Sequence, residues 1–438
     1  MLAAVLTNQT CLENGIRVIT EHVPNSNSAA ISVLVDAGPQ DEKPHQSGLA
    51  HLCEHALLLG TPQRNSRELA TMIDRAGGCF GAATAPDYTL FYCHVLEDYV
   101  SYAIDLVGDI LVASKYPEDL LQREKDVISQ EILGSLDNPS DLLLGLTKSS
   151  MWPSDTLSNS VLGTVENVRS LERTNVVEFV LQQYSPDRIT VCAAGSIEHD
   201  SVVEQVQDAF WTLRGRSPQR NLGPVVAKGG VKVHTMPTKQ CSFSIAVPTP
   251  RYDDKRRYAL HILNNLICGG MSSRMYQTVR DTHGLVYHIQ SQIMSYNRAG
   301  LLQVSGGTSV ENVIKAVSLI LFELTSLAMW ERPIDEEELW KSRMQVRSQS
   351  QISADMLSNR VSRIATQQFH SGKRINDEDI INAIDAVSIE DIRGVATEIL
   401  LTGMTNLTIS LVGPVPSDGE ISEELEHLHQ TFSSLTKT

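Results

Sequence analysis

The chain has 438 residues, enough for more than one domain, and carries 52 Asp plus Glu against 36 Lys plus Arg, a net charge of −16. That balance excludes a nucleic-acid binder, which needs a basic patch for phosphate contacts, and no apolar run approaches membrane-spanning length. The cysteines at 11, 53, 79, 93, 192, 241 and 268 are odd in number, scattered and free of any C-x-x-C pair, which suits reduced thiols better than a disulfide framework.

In chain order, Gly15-Ile16-Arg17-Val18 followed by Ala30-Ile31-Ser32-Val33 reads as a strand, a turn and a second strand. This signal comes early, and the apolar run Leu2 to Leu6 has no basic or Arg-rich flank, so a cytoplasmic location is expected. Next comes His51-Leu52-Cys53-Glu54-His55, with Gly48-Leu49-Ala50 before it and Ala56-Leu57-Leu58-Leu59-Gly60 after it. A helix that is apolar all round is core, where two imidazoles and a carboxylate are costly unless something pairs with them. A divalent metal is the natural partner. At about 100° per residue, residues four apart lie about 40° apart and one turn from each other, so His51 and His55 can reach one ion. Glu54 lies between them, suited to act on a water at that ion. The spacing is the H-x-x-E-H pattern of inverted zinc peptidases.

Catalytic zinc takes three protein ligands and keeps a fourth position for water. The segment Pro117 to Gly134 starts with a helix signal and has apolar positions Leu120, Leu121, Val127, Ile128, Ile132 and Leu133. Glu124 and Glu131, seven apart, share a face of that helix to within about 20°. One can ligate while the other orients a ligating histidine, or both can be solvated charges.

Residues 214 to 230 are rich in Gly, Pro and basic side chains without periodicity and read as a linker. Beyond them the chain repeats itself at an offset of about 210 residues. Gly230-Val231-Lys232-Val233 and Phe243-Ser244-Ile245-Ala246 echo the first two strands. LHILNNLICGG, from Leu260, echoes AHLCEHALLLG, so His51 maps to His261 while Glu54 and His55 map to Asn264 and Asn265. Two asparagines cannot replace a carboxylate and an imidazole at zinc, so the second half is a metal-free copy. The division expected is a metal-binding domain over 1–215, a linker over 216–230 and an inactive homologous domain over 231–438. Each is expected to be an α+β sandwich, a mostly antiparallel sheet with helices on one face.

The motif, with a Glu 76 residues after His55, resembles the metal signature of the pitrilysin-type inverzincin metallopeptidases, the group containing insulin-degrading enzyme and the mitochondrial processing peptidase. Further agreement lies in Gly77 to Tyr92 (GGCFGAATAPDYTLFY), in Leu162-Gly163-Thr164 with Glu166-Asn167, and in Tyr184-Ser185-Pro186. The resemblance implies zinc, one ion per chain, held by His51, His55 and Glu131, with Glu124 as the accessory acidic position and Glu54 as general base. It also covers Gly269 to Arg274, Arg280 and Gly284 to Tyr287, and implies that Arg280 and Tyr287 reach the catalytic centre from the inactive domain. In short-chain members those residues act from a second subunit, which implies a homodimer or a heterodimer with a metal-free homologue. The implied activity is hydrolysis of peptides, or of leader segments of small precursors, in an enclosed chamber. A non-catalytic peptide-binding or assembly subunit is the alternative. Substrate is expected as an added strand along the edge formed by Gly77 to Tyr92. There this chain departs from the family, with Gly81-Ala82 where Asn-Ala is usual and Asp87 where Glu is usual.

Overall fold

The computed structural model describes residues 6–416 and 419–435. Its eleven strands are β1 (Leu6–Cys11), β2 (Arg17–His22), β3 (Ser28–Val35), β4 (Cys79–Thr84), β5 (Thr89–Leu96), β6 (Ile189–Gly195), β7 (Gly230–Thr235), β8 (Cys241–Thr249), β9 (His288–Ser295), β10 (Gly300–Thr308) and β11 (Thr408–Gly413). They form two sheets, ordered β1-β2-β6-β3-β5-β4 and β7-β11-β8-β10-β9. Setting β1 aside, the two orders coincide strand for strand. Each sheet has one parallel pair, β2 with β6 and β7 with β11, among antiparallel ones. The repeat read from the sequence is therefore a repeat of topology.

Among the helices are α1 (Leu49–Ala56), α2 (Ser66–Arg75), α3 (Val100–Ala113), α4 (Glu118–Asp137), α5 (Pro139–Met151), α6 (Val165–Ser170), α7 (Arg173–Gln183), α8 (His199–Ala209), α9 (Arg257–Cys268), α10 (Val313–Ala328), α11 (Glu336–Ala354) and α12 (Leu357–Ser371). The chain divides into two compact units that are not continuous in sequence. The first comprises the residues up to Leu133, Asn159–Leu222 and Ile352–Ile375; the second comprises Gly134–Ser158, Gly223–Gln351 and the residues from Asn376 on. Each unit thus takes a segment from the other half of the chain, an exchange that a single linker over 216–230 does not describe.

In the first unit, Ala29, Ile31, Val33 and Val35 of β3 face a large core shared with α1, α3, α7 and α8. The alternate residues Ala30 and Leu34, with Ile19 of β2 and Cys192 of β6, meet Leu357, Val361, Ile364 and Ala365 of the exchanged α12. So helices pack on one face of this sheet, as expected, and α12 additionally covers the centre of the other. Unbroken burial along β6 has this cause: a strand covered on both faces has no polar side. The exchanged segment is also held by charge. Glu21 of β2 is fully buried and pairs with Arg360 and, at 3.2 Å, with Arg374.

In the second unit, α5 packs on β8 and β11. Thr147 Oγ1 donates to Ser244 Oγ at 3.0 Å, and Met151 and Trp152 bury against Ala246 and Leu301.

Candidate metal centre

The helix α1 begins at Gly48, whose φ of 95° lies in the left-handed region that suits glycine. A Cβ there would fall 2.7 Å from Leu162 O, and one on Gly163 would fall 2.3 Å from Ser47 O. The two backbones touch, which is the physical content of the Leu162-Gly163 motif. Around this contact α1 sinks into the core, burying Leu49, Ala50, His51, Leu52, Cys53 and Ala56. Cys53 is packing: burial pushes its thiol well above the ordinary cysteine range, where it is unreactive.

On α4, Leu121, Lys125, Ile128 and Ile132 turn inward at helical spacing, while Val127 and Leu133 are exposed. Glu124 and Glu131 stand beside this buried stripe and reach α1. His51 Nε2 lies 3.8 Å from Glu131 Oε2, and His55 Nε2 lies 3.9 Å from the same oxygen. His55 Nδ1 lies 3.1 Å from Glu124 Oε2. A proton on Nδ1, donated to Glu124, would leave the Nε2 lone pair turned toward Glu131. The imidazoles meet edge to face with centroids 4.7 Å apart.

His51, His55 and Glu131 offer ligand atoms that all lie within 4.8 Å of one another. Zinc bound tetrahedrally at 2.0–2.2 Å would need them about 3.3–3.5 Å apart, within reach of small side-chain rotations. Burial, with the neighbouring His55, lowers the His51 pKa to about 4, so its ring is neutral near pH 7, the form that ligates. His51 Nδ1 is buried without a hydrogen-bond partner among the described residues, and its other nitrogen faces a carboxylate beyond hydrogen-bond distance. Two imidazoles and one carboxylate are a donor set of zinc hydrolases. The residues fit the ion.

Glu54 is half-buried, and Thr84 Oγ1, at the end of β4, donates a hydrogen bond to its Oε2. Burial raises the Glu54 pKa, while that hydrogen bond and His55 pull it back. Neither Thr84 nor Glu42 was singled out from the sequence. Glu42 is buried in the loop before α1 and accepts from the backbone N–H of Gly48 at 3.1 Å and of Ala50 at 2.8 Å. Burial pushes it up to about 8 in spite of these donors.

Gly81 and Ala82 lie in β4, at the edge of the first sheet, opposite Tyr92 and Phe91 of β5. A Cβ on Gly81 would fall 2.4 Å from Tyr92 Oη, so the Tyr92 ring fills the space a side chain would take. Arg280 and Tyr287 belong to the second unit. Arg280 sits in a π-helical stretch, Tyr276–Thr282, with its guanidinium 4.6 Å from the Tyr276 ring and 5.3 Å from the Tyr287 ring. Tyr287 is 82% exposed. The helix α9 carries His261, Asn264 and Asn265 where α1 carries His51, Glu54 and His55.

Residues 17–165 match the profile described as Insulinase (Peptidase family M16), and residues 170–346 match the Peptidase M16 inactive domain. An uncharacterized zinc protease of Bacillus subtilis, YmxG, is 30% identical over 414 residues, covering 94% of this chain and 100% of the relative. The chain belongs to the M16 peptidase family. A further relative, an uncharacterized zinc protease of Rickettsia bellii, is 27% identical over 93% of this chain and 97% of its own length. Among solved structures, a protease from Helicobacter pylori aligns with a TM-score of 0.86 at 18% identity, over 94% of this chain and 100% of that one. A chain of complex III2 from Candida albicans aligns with a TM-score of 0.83 at 18% identity, over 97% and 99%. At these identities the structures establish the fold alone, and the family and its curated relatives support a zinc peptidase. No helix among the described residues is long and apolar enough to cross a membrane.

Proposed function

We propose that this chain is a zinc-dependent endopeptidase cleaving peptides, or leader segments of small precursors, with Glu54 as general base. The convergence of His51, His55 and Glu131, with Glu54 beside them under the Thr84 hydroxyl, carries the reading. When bound, zinc would supply the positive charge that acidifies water and polarises a peptide carbonyl. Glu54 takes the proton of the attacking water and returns it to the departing amine, so no covalent intermediate forms. Burial raises its pKa, which makes it a stronger base toward that proton. Glu124 holds the His55 ring through Nδ1. Substrate adds as a strand beside β4, paired through backbone groups that make little demand on sequence.

The exposed Tyr287 phenol and the Arg280 guanidinium stacked on it suit an oxyanion and peptide carbonyls, and we place them at the centre of a partner subunit in a homodimer. Purified protein, with and without chelator, incubated with a peptide library and read by mass spectrometry, tests the reaction. Internal cuts that vanish with chelator, and in Glu54→Gln, are expected; cuts that survive both would overturn it. Mixing Glu54→Gln with Tyr287→Phe tests the assembly. Activity regained on mixing supports action between subunits, and none regained argues against it.

A further inference from the structure

The helix that carries both histidines and Glu54 spans eight residues, Leu49–Ala56, about two turns. A helix this short has no independent stability, so its rotation and height must come from what grips it. Its N-cap is Gly48, which has no side chain to offer the first turn. Glu42 does that work from outside the helix, Oε2 accepting from Gly48 N at 3.1 Å and Oε1 from Ala50 N at 2.8 Å. With both oxygens engaged, the Glu42 carboxyl group resists rotation of the turn that leads into His51.

The loop that carries Glu42 is itself pinned. Asp41, its neighbour, takes Nε and Nη2 of Arg220 at 2.7 and 2.8 Å, Nη1 of Arg188 at 3.2 Å, and the backbone N–H of Gly38 at 3.1 Å. Arg220 also pairs with Asp36. It comes from the segment before β7 that lacks regular structure, so the stretch read as a linker is fastened here. One residue earlier, Gln40 Nε2 donates to Asp87 O at 2.8 Å and Gln40 N donates to Pro86 O at 3.1 Å. Those carbonyls belong to the turn after Thr84, the residue that holds Glu54. One loop therefore underlies both the metal helix and the donor to the base.

We propose that Glu42 is a positioning residue for the metal centre, fixing α1 so that His51, His55 and Glu54 face Glu131 together, and that Arg220 fixes Glu42 through Asp41. A bland cap would matter to stability alone. A positioning role must also move zinc affinity and kcat, because a displacement of about 1 Å at a reacting group is enough to cost 10²-fold. The inference rests on the zinc-peptidase reading, and its test separates the two.

Zinc affinity is measured by competition with a fluorescent chelator, backbone amide exchange over residues 48–56 in metal-free protein, and kcat and KM at saturating zinc. Glu42→Ala is expected to weaken zinc binding roughly 10-fold or more, to speed exchange across α1, and to lower kcat with KM little changed. Glu42→Gln, which keeps one acceptor oxygen, should recover part of each loss, and Arg220→Ala should move all three readouts in the same direction by less. If Glu42→Ala does not fold, Glu42→Gln and Arg220→Ala decide. Folded variants with wild-type zinc affinity and kcat would overturn the proposal, even if they melt earlier. Wild-type protein that binds no zinc and cuts no peptide would instead remove the reading beneath it.

Discussion

Thr84 Oγ1 donates a hydrogen bond to Glu54 Oε2, linking the end of the edge strand to the carboxylate between the two imidazoles. A hydrogen bond to a charged group contributes about 1.5–3 kcal/mol. Thr84→Val, which keeps the shape and loses the donor, is expected to lower kcat about 10-fold with KM within twofold. Steady-state kinetics on one peptide cut by the wild type checks this. An equal fall through KM alone would assign Thr84 to binding.

Glu131 and Glu124 should separate cleanly on metal content. Glu131→Gln removes the oxygen that faces both Nε2 atoms, so zinc is expected to be lost on dialysis. Glu124→Gln keeps an acceptor for His55 Nδ1 and should weaken zinc roughly 10-fold, the usual effect of a group behind a ligand. Elemental analysis after dialysis reads both.

Glu21 is buried between Arg360 and Arg374 of the exchanged segment. Removing one partner of a buried ion pair costs about 3–5 kcal/mol, because the remaining charge stays desolvated. Glu21→Ala should therefore lower the urea midpoint sharply, and protease should then cut first within residues 352–375. Replacing all three groups by apolar residues of similar volume should restore much of the loss.

His370 of α12 has its pKa lowered from 6.5 to about 4 by burial. The folded protein thus keeps this ring neutral where the unfolded chain would bind a proton. Its contribution is whole above pH 6.5 and falls away as pH drops toward 4. Urea unfolding at pH 7 and pH 4.5 should show a smaller difference for His370→Phe than for wild type.

Gly81→Asn would restore the family's usual side chain, and its Cβ would meet Tyr92 Oη at 2.4 Å. Such overpacking costs about 1–3 kcal/mol, and the loss should shrink in a Tyr92→Ala background, where the ring is gone. Thermal unfolding of the four proteins of that cycle measures the coupling. Additive effects would mean that Tyr92 swings aside freely.

The grouping of His51, Glu54 and His55 on one helix was legible in the chain, because helical periodicity is local. Four residues of separation put His51 and His55 one turn apart in any α-helix, and Glu54 falls between them without help from the rest of the fold. The repeat was legible too, since an offset shared by strands and helix survives in order even where Glu54 and His55 become Asn264 and Asn265. Which carboxylate on α4 meets which ring atom was open to both readings. Seven residues are about 10 Å of rise on one face, and only the placement of α4 beside α1 sends Glu131 to both Nε2 atoms and Glu124 to Nδ1.

Thr84, Glu42 and Arg220 left no such trace, because a single polar residue in a loop or at a strand end has no period to reveal it. The exchange of α5 and α12 between units was hidden for a related reason. An amphipathic helix declares that it has an apolar face but not which sheet will cover it. Only in the folded structure does the unbroken burial of β6 report the second layer above the first sheet. What the chain determined alone was chemistry that nearby residues impose on each other. What the tertiary structure decided was every contact between residues far apart in sequence, where the hydrophobic effect sets burial but packing selects the partner.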